Sequence, residues 1–176
     1  MKLLAEINID KLDKRQTSNF RLRRASRAIV RNQKGEIALL GVTKYCYHKL
    51  PGGGIKPGET TIKALQRECL EETGCQIKII KQLGTIIEYR KKWRLKQKSY
   101  CYIAKVTTIL GKPKFTREER KAGFKLSWVS LTQAKKLIKK YKPKIYDAKF
   151  MNQRDSLLLE VYTKNQWPRS KSPWKK

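Results

Sequence analysis

Acid is scarce in this chain. Fourteen Asp and Glu stand against 43 Lys and Arg, a formal net charge of +29 over 176 residues. Any place where carboxylates gather is therefore informative. Histidine is nearly absent, with His48 the only one, and none of Cys46, Cys69, Cys75 and Cys101 forms a C-x-x-C pair. That argues against a Cys/His zinc site. It leaves the cysteines as reduced, mostly buried small residues of a cytoplasmic protein. Long apolar runs are missing as well. The opening "MKLLAEINIDKLDKR" breaks into charge too early to form the apolar region of a signal peptide. No later run approaches the roughly 20 residues that span a bilayer, so a membrane is not among the expected partners.

What is present suffices for one domain with a real core. The chain is 39% apolar and holds four Trp. Its positive field attracts phosphates on nucleotides, RNA or an anionic membrane surface; a lysine-rich background composition accounts for the same excess without any partner. Residues 1–23 are weakly patterned and read as an N-terminal extension or strand. "RLRRASRAIVR" and "IALLGVT" read as two strands of a hairpin turning at "NQKGE". "YCYHKLPGGGIKPGE" has too many glycines and prolines for regular structure, and it permits close backbone approach. From Thr60 to Thr73, Ile62, Leu65 and Cys69 recur at helical spacing, and Gly74 ends the pattern. Beyond it "CQIKIIKQLGTIIEYRK" reads as one or two strands broken near Gly84. "YCYIAKVTTI" and "KLSWVS" are further strands, flanking a charged loop, "GKPKFTREERKAGF". "LTQAKKLIKKY" and "MNQRDSLLLEVYTKN" are amphipathic helices, and residues 164–176 form a basic, disordered tail. Strands, a central helix, more strands and two final helices make an α+β layered domain.

The carboxylates gather at "RECLEETG". Residues three and four apart share a helix face, so Glu68, Glu71 and Glu72 converge. Like charges so placed repel, and they lie near a helix C-terminus, where negative charge is unfavourable. A bound cation offsets both costs, and an all-oxygen set favours Mg²⁺ or Mn²⁺. The preceding "LPGGGIKPGE" offers bare backbone: a carbonyl for the metal, amides for a phosphate. Phosphate and divalent metal together point to chemistry at a phosphoanhydride.

From Gly53 onward the sequence reads G-x5-E-x7-R-E-x-x-E-E-x-G, through Glu59, Arg67, Glu68, Glu71, Glu72 and Gly74. This resembles the Nudix box of the Nudix hydrolase superfamily at every polar and glycine position. The family usually has bulky aliphatic residues where this chain has Cys69 and Cys75, a departure that touches core volume rather than the metal site. The likeness extends over roughly 24–163. It implies a Nudix fold, a mixed β-sheet sandwiched between helices. It also implies hydrolysis of a nucleoside diphosphate linked to another group. By position it implies Glu68, Glu71, Glu72 and the Gly52 carbonyl as metal ligands. Glu68 also positions or deprotonates the water, and Arg67 and Glu59 orient the carboxylates. Because some members draw a base or further ligand from a distant loop, Glu118 and Glu119 of "TREERKAGF" are candidates beside an ordinary surface reading.

Gly53 and Gly54 are candidate substrate contacts, as are Tyr47, which alternates with Tyr45, and Arg90 of "EYRKKWRLKQKSY", whose basic residues are interleaved with aromatics. Trp167 and Trp174 repeat that mixture in the tail. Three functions remain open. One is hydrolysis of a small nucleotide or nucleotide-sugar substrate. The second is pyrophosphate or cap removal from RNA 5′ ends, which the charge favours. The third is a non-catalytic RNA- or ribosome-binding protein, which the intact glutamates oppose.

Overall fold

A computed structural model describes residues 1–140 and 145–165. Tail residues 166–176, with Trp167 and Trp174, lie outside the described residues. In chain order the elements are β1 (Leu3–Ile7), α1 (Lys14–Thr17), β2 (Arg21–Arg31), β3 (Ile37–Val42), β4 (Tyr47–Lys49), β5 (Gly52–Gly54) and α2 (Thr61–Thr73). There follow β6 (Ile77–Arg90), β7 (Leu95–Val106), α3 (Arg117–Lys121), β8 (Phe124–Val129), α4 (Leu131–Lys140) and α5 (Tyr146–Lys164).

The strands make one mixed sheet in the order β1-β6-β7-β2-β3-β4, with β5 added to β2 and β8 to β3. β6 and β7 form a long antiparallel pair. β2 runs parallel to β7 from Arg21 opposite Leu95 to Arg31 opposite Lys105, and β1 lies parallel to β6. Alternate residues of a strand face opposite sides. Ala28 and Val30 of β2 accordingly meet Leu65 and Cys69 of α2 together with Tyr102, Ala104 and Val106. Ile29 points the other way, to Ile103, Ile138 of α4, and Phe150 and Leu158 of α5. The expected α+β sandwich is therefore present, with α2 on one face and α4 and α5 on the other. No helix among the described residues is long and apolar enough to cross a membrane.

Several local expectations need correction. The β2–β3 hairpin pairs through Arg31 and Ile37, after which β2 takes β5 as its neighbour and β3 takes β4 and β8. The reason is steric. Gly52–Gly54 carries no side chains, and a Cβ on Gly52 would run into the Ser26 carbonyl of β2. The side-chain-free segment can thus lie against β2 as a strand and not as an irregular loop. The stretch around Gly84 is one strand, β6, with register shifts between Ile79 and Lys81 and between Gln82 and Gly84. The charged loop contains the helical turn α3, and the last helix begins at Tyr146, before Met151.

On the α5 side the sheet buries charge. Arg154 donates to Asp155 at 2.7 and 3.2 Å and to Glu88 of β6 at 3.2 Å. Arg90 also binds Glu88, and it reaches Asp147 at 3.1 Å. Gln97 donates to Glu88 at 3.1 Å. Asp155 in turn accepts from the Leu50 amide at 2.9 Å, which ties α5 to the chain entering the glycine segment. Burial pushes the Glu88 carboxyl up, but Arg154 and Arg90 outweigh it and hold the group below the ordinary carboxylate range. Removing one member of a buried ion pair strands its partner. Arg154→Leu should therefore lose about 3–5 kcal/mol of stability in urea unfolding at pH 7. A depressed carboxylate stabilises fully above its unfolded pKa, and that contribution is lost as pH falls through the folded value. The deficit of the variant should therefore shrink in acid.

Candidate active site

Helix α2 starts from the Thr60 cap, whose hydroxyl accepts from the Lys63 amide at 3.2 Å. Its buried side is Ala64, Leu65 and Cys69. That seating leaves Arg67, Glu68 and Glu71 on the side facing the glycine strand and the loop before the helix. One guanidinium organises them. Arg67 Nε and Nη2 donate to Glu59 at 2.7 and 3.1 Å, and Nη1 donates to Glu68 at 2.8 Å and to Glu71 at 3.2 Å. Nη2 also reaches the Gly54 carbonyl at 3.0 Å. The Arg67 hydrogen bond, followed by the Lys56 amide, holds the Glu59 carboxyl down to about 2.

Glu72 is treated differently. It is 1% exposed and turns inward, accepting from Lys49 Nζ at 2.7 Å and the Gly52 amide at 2.7 Å. Burial pushes its carboxyl above the usual range, and Lys49 only partly offsets this. Behind it Arg27, opposite Gly52 on β2, is buried with Nε and Nη1 lacking a hydrogen-bond partner among the described residues. Burial, then Arg154, lowers its guanidinium to about 10. The expected convergence of Glu68, Glu71 and Glu72 is thus corrected for Glu72, which is held by Lys49 and the Gly52 amide rather than by Arg67. Glu68 and Glu71 share Arg67, Glu72 has Lys49, and no group of three such ligands stands assembled around one point among the described residues.

The glycine strand fits this arrangement closely. Gly52 has φ +126°, a backbone region that favours glycine. A Cβ on Gly53 would land on the Glu68 carboxylate, far inside van der Waals contact. Glu68 therefore lies in a cradle that exists because residue 53 has no side chain. The second oxygens, Oε2 of Glu68 and Oε1 of Glu71, carry no hydrogen bond among the described residues. Hard carboxylate oxygens beside a bare backbone fit Mg²⁺ or Mn²⁺ by donor chemistry.

Other candidates are placed less centrally. Tyr47 and Tyr45 line a groove of about 280 Å³ with Ile145, Asp147, Ala148 and Met151. Arg90, read as a substrate contact, is instead 5% exposed and committed to Glu88, Asp147 and the Phe150 ring. It occupies the α5-facing side of β6 because strand alternation sends Tyr89, not Arg90, to the other face. Glu119 closes a capping box at α3, accepting from the Thr116 amide at 2.8 Å. Among the described residues neither Glu118 nor Glu119 contacts Glu68, Glu71 or Glu72. Sequence reasoning missed Lys49 and Arg27. Nothing local marks either one: Lys49 pairs with Glu72, far along the chain, and Arg27 is brought near Glu72 and Asp155 only by the fold.

Comparison with known proteins agrees with this geometry. The family model for the NUDIX domain matches residues 21–149. Diphosphoinositol polyphosphate phosphohydrolase 2 of Rattus norvegicus is 30% identical over 125 residues, covering 70% of this chain and 66% of that protein. The chain thus spans just under two thirds of that relative. Among solved structures, a NUDIX hydrolase from Nitrosomonas europaea superposes with a TM-score of 0.61 at 16% identity, covering 85% of this chain and 94% of that one. The MutT protein from Methanosarcina mazei Go1 gives 0.54 at 20% identity, covering 85% and 99%. These two share the fold.

Two predictions follow from the glycines and from Glu72. Gly53→Ala meets only the movable end of Glu68, so it should fold with a near-parental melting temperature and lose turnover. Gly52→Ala meets β2 backbone at positive φ and should cost at least about 2 kcal/mol in chemical denaturation. A group with a raised carboxyl pKa favours the folded state most below its unfolded pKa, and that advantage disappears as pH rises through the folded value. Glu72→Gln removes the buried charge but keeps a single acceptor oxygen, so either Lys49 Nζ or the Gly52 amide, which bond to separate Glu72 oxygens, is left facing an amide nitrogen. Its melting temperature should fall below the parent's, by less at pH 8 than at pH 4, while turnover falls about a hundredfold or more.

Proposed function

The chain belongs to the NUDIX domain family, and we propose that it hydrolyses a phosphoanhydride bond in a nucleoside diphosphate linked to another group, using Mg²⁺ or Mn²⁺ held on α2. The observation that carries this reading is the Arg67 clasp, which gathers Glu59, Glu68 and Glu71 against the Gly54 carbonyl. In a chain with 14 acidic residues, three carboxylates gathered on one guanidinium carry more negative charge than Arg67 balances, an excess that a divalent cation would offset. Glu68 and Glu71 would hold the ion, with Glu72 and the Gly52 carbonyl completing the donor set. Bound there, the cation lowers the pKa of a water and neutralises charge on the phosphate oxygens.

The remaining steps belong to the chain's own residues. Glu68, fixed by Arg67 and the Gly53 cradle, accepts the proton of the attacking water. The water oxygen bonds to phosphorus while the bridging P–O bond breaks, and the departing phosphate takes the electron pair. Gly53 and Gly54 let the phosphates approach the backbone. Tyr45 and Tyr47 offer rings in the neighbouring groove for the base. Lys49 holds Glu72, and through it the Gly52 amide, so α2 and the glycine strand stay in register. Reduced cysteines suit a cytoplasmic setting.

A second substrate reading has specific support. The curated relatives are named for diphosphoinositol polyphosphates, which carry phosphate more densely than a nucleotide, and a charge of +29 suits such a ligand. RNA 5′ ends are the third substrate class to test. Phosphate release should be measured with nucleoside triphosphates, ADP-ribose, dinucleotides, a diphosphoinositol polyphosphate and 5′-triphosphorylated RNA. Turnover of at least one substrate should disappear in EDTA and return with Mg²⁺ or Mn²⁺. Full activity in chelator would overturn the reading, and a blank across the panel would favour a non-catalytic role.

A further inference from the structure

The sheet face that carries α2 is longer than α2. The helix begins over Ser26 and Tyr102: the Ser26 hydroxyl donates to the Thr61 carbonyl at 2.8 Å, and the hydroxyls of Thr61 and Tyr102 lie 2.6 Å apart. It then runs toward Ala28, Val30, Ala104 and Val106. In the opposite direction the three central strands continue without a helix above them among the described residues. Pairing puts Leu22 beside Lys96 and Arg24 beside Lys98, and on the next strand Tyr89 beside Lys96 and Ile87 beside Lys98. The reverse side of the same strands is closed, with Leu95, Gln97, Ser99 and Glu88 all buried. On the open side Leu22 is 55% exposed, Arg24 is exposed, and Lys96, Lys98, Tyr89 and Tyr100 are half-buried.

This open face has a particular chemistry. Arg24 and Lys98 both lie over the Tyr100 ring, at 5.4 and 5.5 Å from its centroid, and Lys96 lies over the Tyr89 ring at 5.5 Å. Three cations and two flat rings are therefore held together on a rigid sheet. Glu6 of β1, beside Ile87, adds one carboxylate at the edge. A second copy of the chain is a poor occupant, since each brings +29. An anionic lipid surface would satisfy the cations and accepts tyrosines at headgroup level, so it is the alternative occupant that the vesicle arm of the test addresses.

We propose that this open face binds single-stranded nucleic acid, with phosphates on Arg24, Lys96 and Lys98 and bases stacked on Tyr89 and Tyr100. The combination of a positive surface and stacking rings suits unpaired strands and not duplexes. The surface borders the glutamate site, since the Ile55 amide donates to the Arg24 carbonyl at 3.1 Å, but it uses none of that site's side chains, so the inference holds whichever small substrate that site cleaves.

The test is fluorescence anisotropy with a 12-nucleotide single-stranded RNA, a duplex of the same sequence, and phosphatidylserine vesicles as competitor. The triple variant Arg24→Gln/Lys96→Gln/Lys98→Gln should bind the single strand at least about tenfold more weakly and flatten its log–log salt dependence by about 2. The triple Lys135→Gln/Lys136→Gln/Lys149→Gln, which removes equal charge from α4 and α5, should bind as the parent does. Tyr89→Leu keeps an apolar side chain but no aromatic ring, and should weaken the single strand about tenfold while sparing the duplex. Melting temperature and the turnover of a small substrate should be unchanged in all three, which excludes unfolding as the cause. Equal losses in the two triples would overturn the proposal, leaving diffuse charge. Parental affinity in Tyr89→Leu, or vesicles that displace RNA from the parent and fail to bind the first triple, would overturn it in favour of a generic anionic surface.

Discussion

The constraint on which this structure rests is the missing side chains of Gly52–Gly54. A Cβ at 52 collides with the Ser26 carbonyl, and one at 53 collides with the Glu68 carboxylate. Without them the segment lies against β2 on one side and receives two glutamates of α2 on the other. Its own amide then serves as a donor: Gly52 N–H holds Glu72. The residue that leads into it, Leu50, is fixed from behind by Asp155. A stretch of bare backbone is thus pinned from both faces of the sheet, and entropy that glycine would otherwise retain is lost to contacts on either side.

Charge is managed by matching each buried or crowded group to a nearby partner. Arg67 serves three carboxylates, which turns mutual repulsion on α2 into a shared set of hydrogen bonds. Lys49 serves the buried Glu72. On the opposite face Arg154 and Arg90 serve Glu88, and Arg154 also serves Asp155. The acidic residues are few, yet the buried ones all carry basic partners. Arg27 is the exception. Its buried Nε and Nη1, without a hydrogen-bond partner among the described residues, lie in the field of Glu72 and Asp155, so long-range attraction stands in for the hydrogen bonds it lacks, and the depressed guanidinium records that shortfall.

What the sequence made legible is what is encoded locally. The limits of α2, its cap and the identity of the clustered carboxylates all follow from spacing within twenty-odd residues. The pairs Lys49–Glu72 and Glu88–Arg154 join positions far apart in the chain, so no periodicity marks them. Arg90 is instructive because its alternation was readable. "EYRKKWRLKQK" sends Tyr89 and Arg90 to opposite faces, but only the position of α5 decides which face is interior. The β2–β3 hairpin was right at its turn and wrong along its length, because strand propensity says nothing about a third strand narrow enough to slip between. Glu119 shows the reverse limit. Acid in a basic chain invites a catalytic reading, and a three-residue capping geometry explains its position.

The two faces of the central strands have different tasks. Toward α5 they bury a network whose members brace one another, and disturbing it strands a charge. Toward α2 the cations and carboxylates are less deeply enclosed: the Glu71 side chain is 46% exposed and that of Arg67 22%. Electrostatic partners in such a place exchange with ligands at lower cost than fully buried ones do. Arg67 therefore holds one oxygen each of Glu68 and Glu71 while the other carries no hydrogen bond among the described residues, the arrangement the proposed metal site would need. The stabilising network and the residues proposed to face the ligand meet at the Leu50–Gly52 segment and at Arg27, which lies in the field of both Glu72 and Asp155. Substitutions at Arg154 and at Gly53 should therefore have separable consequences, one for the fold and one for the chemistry.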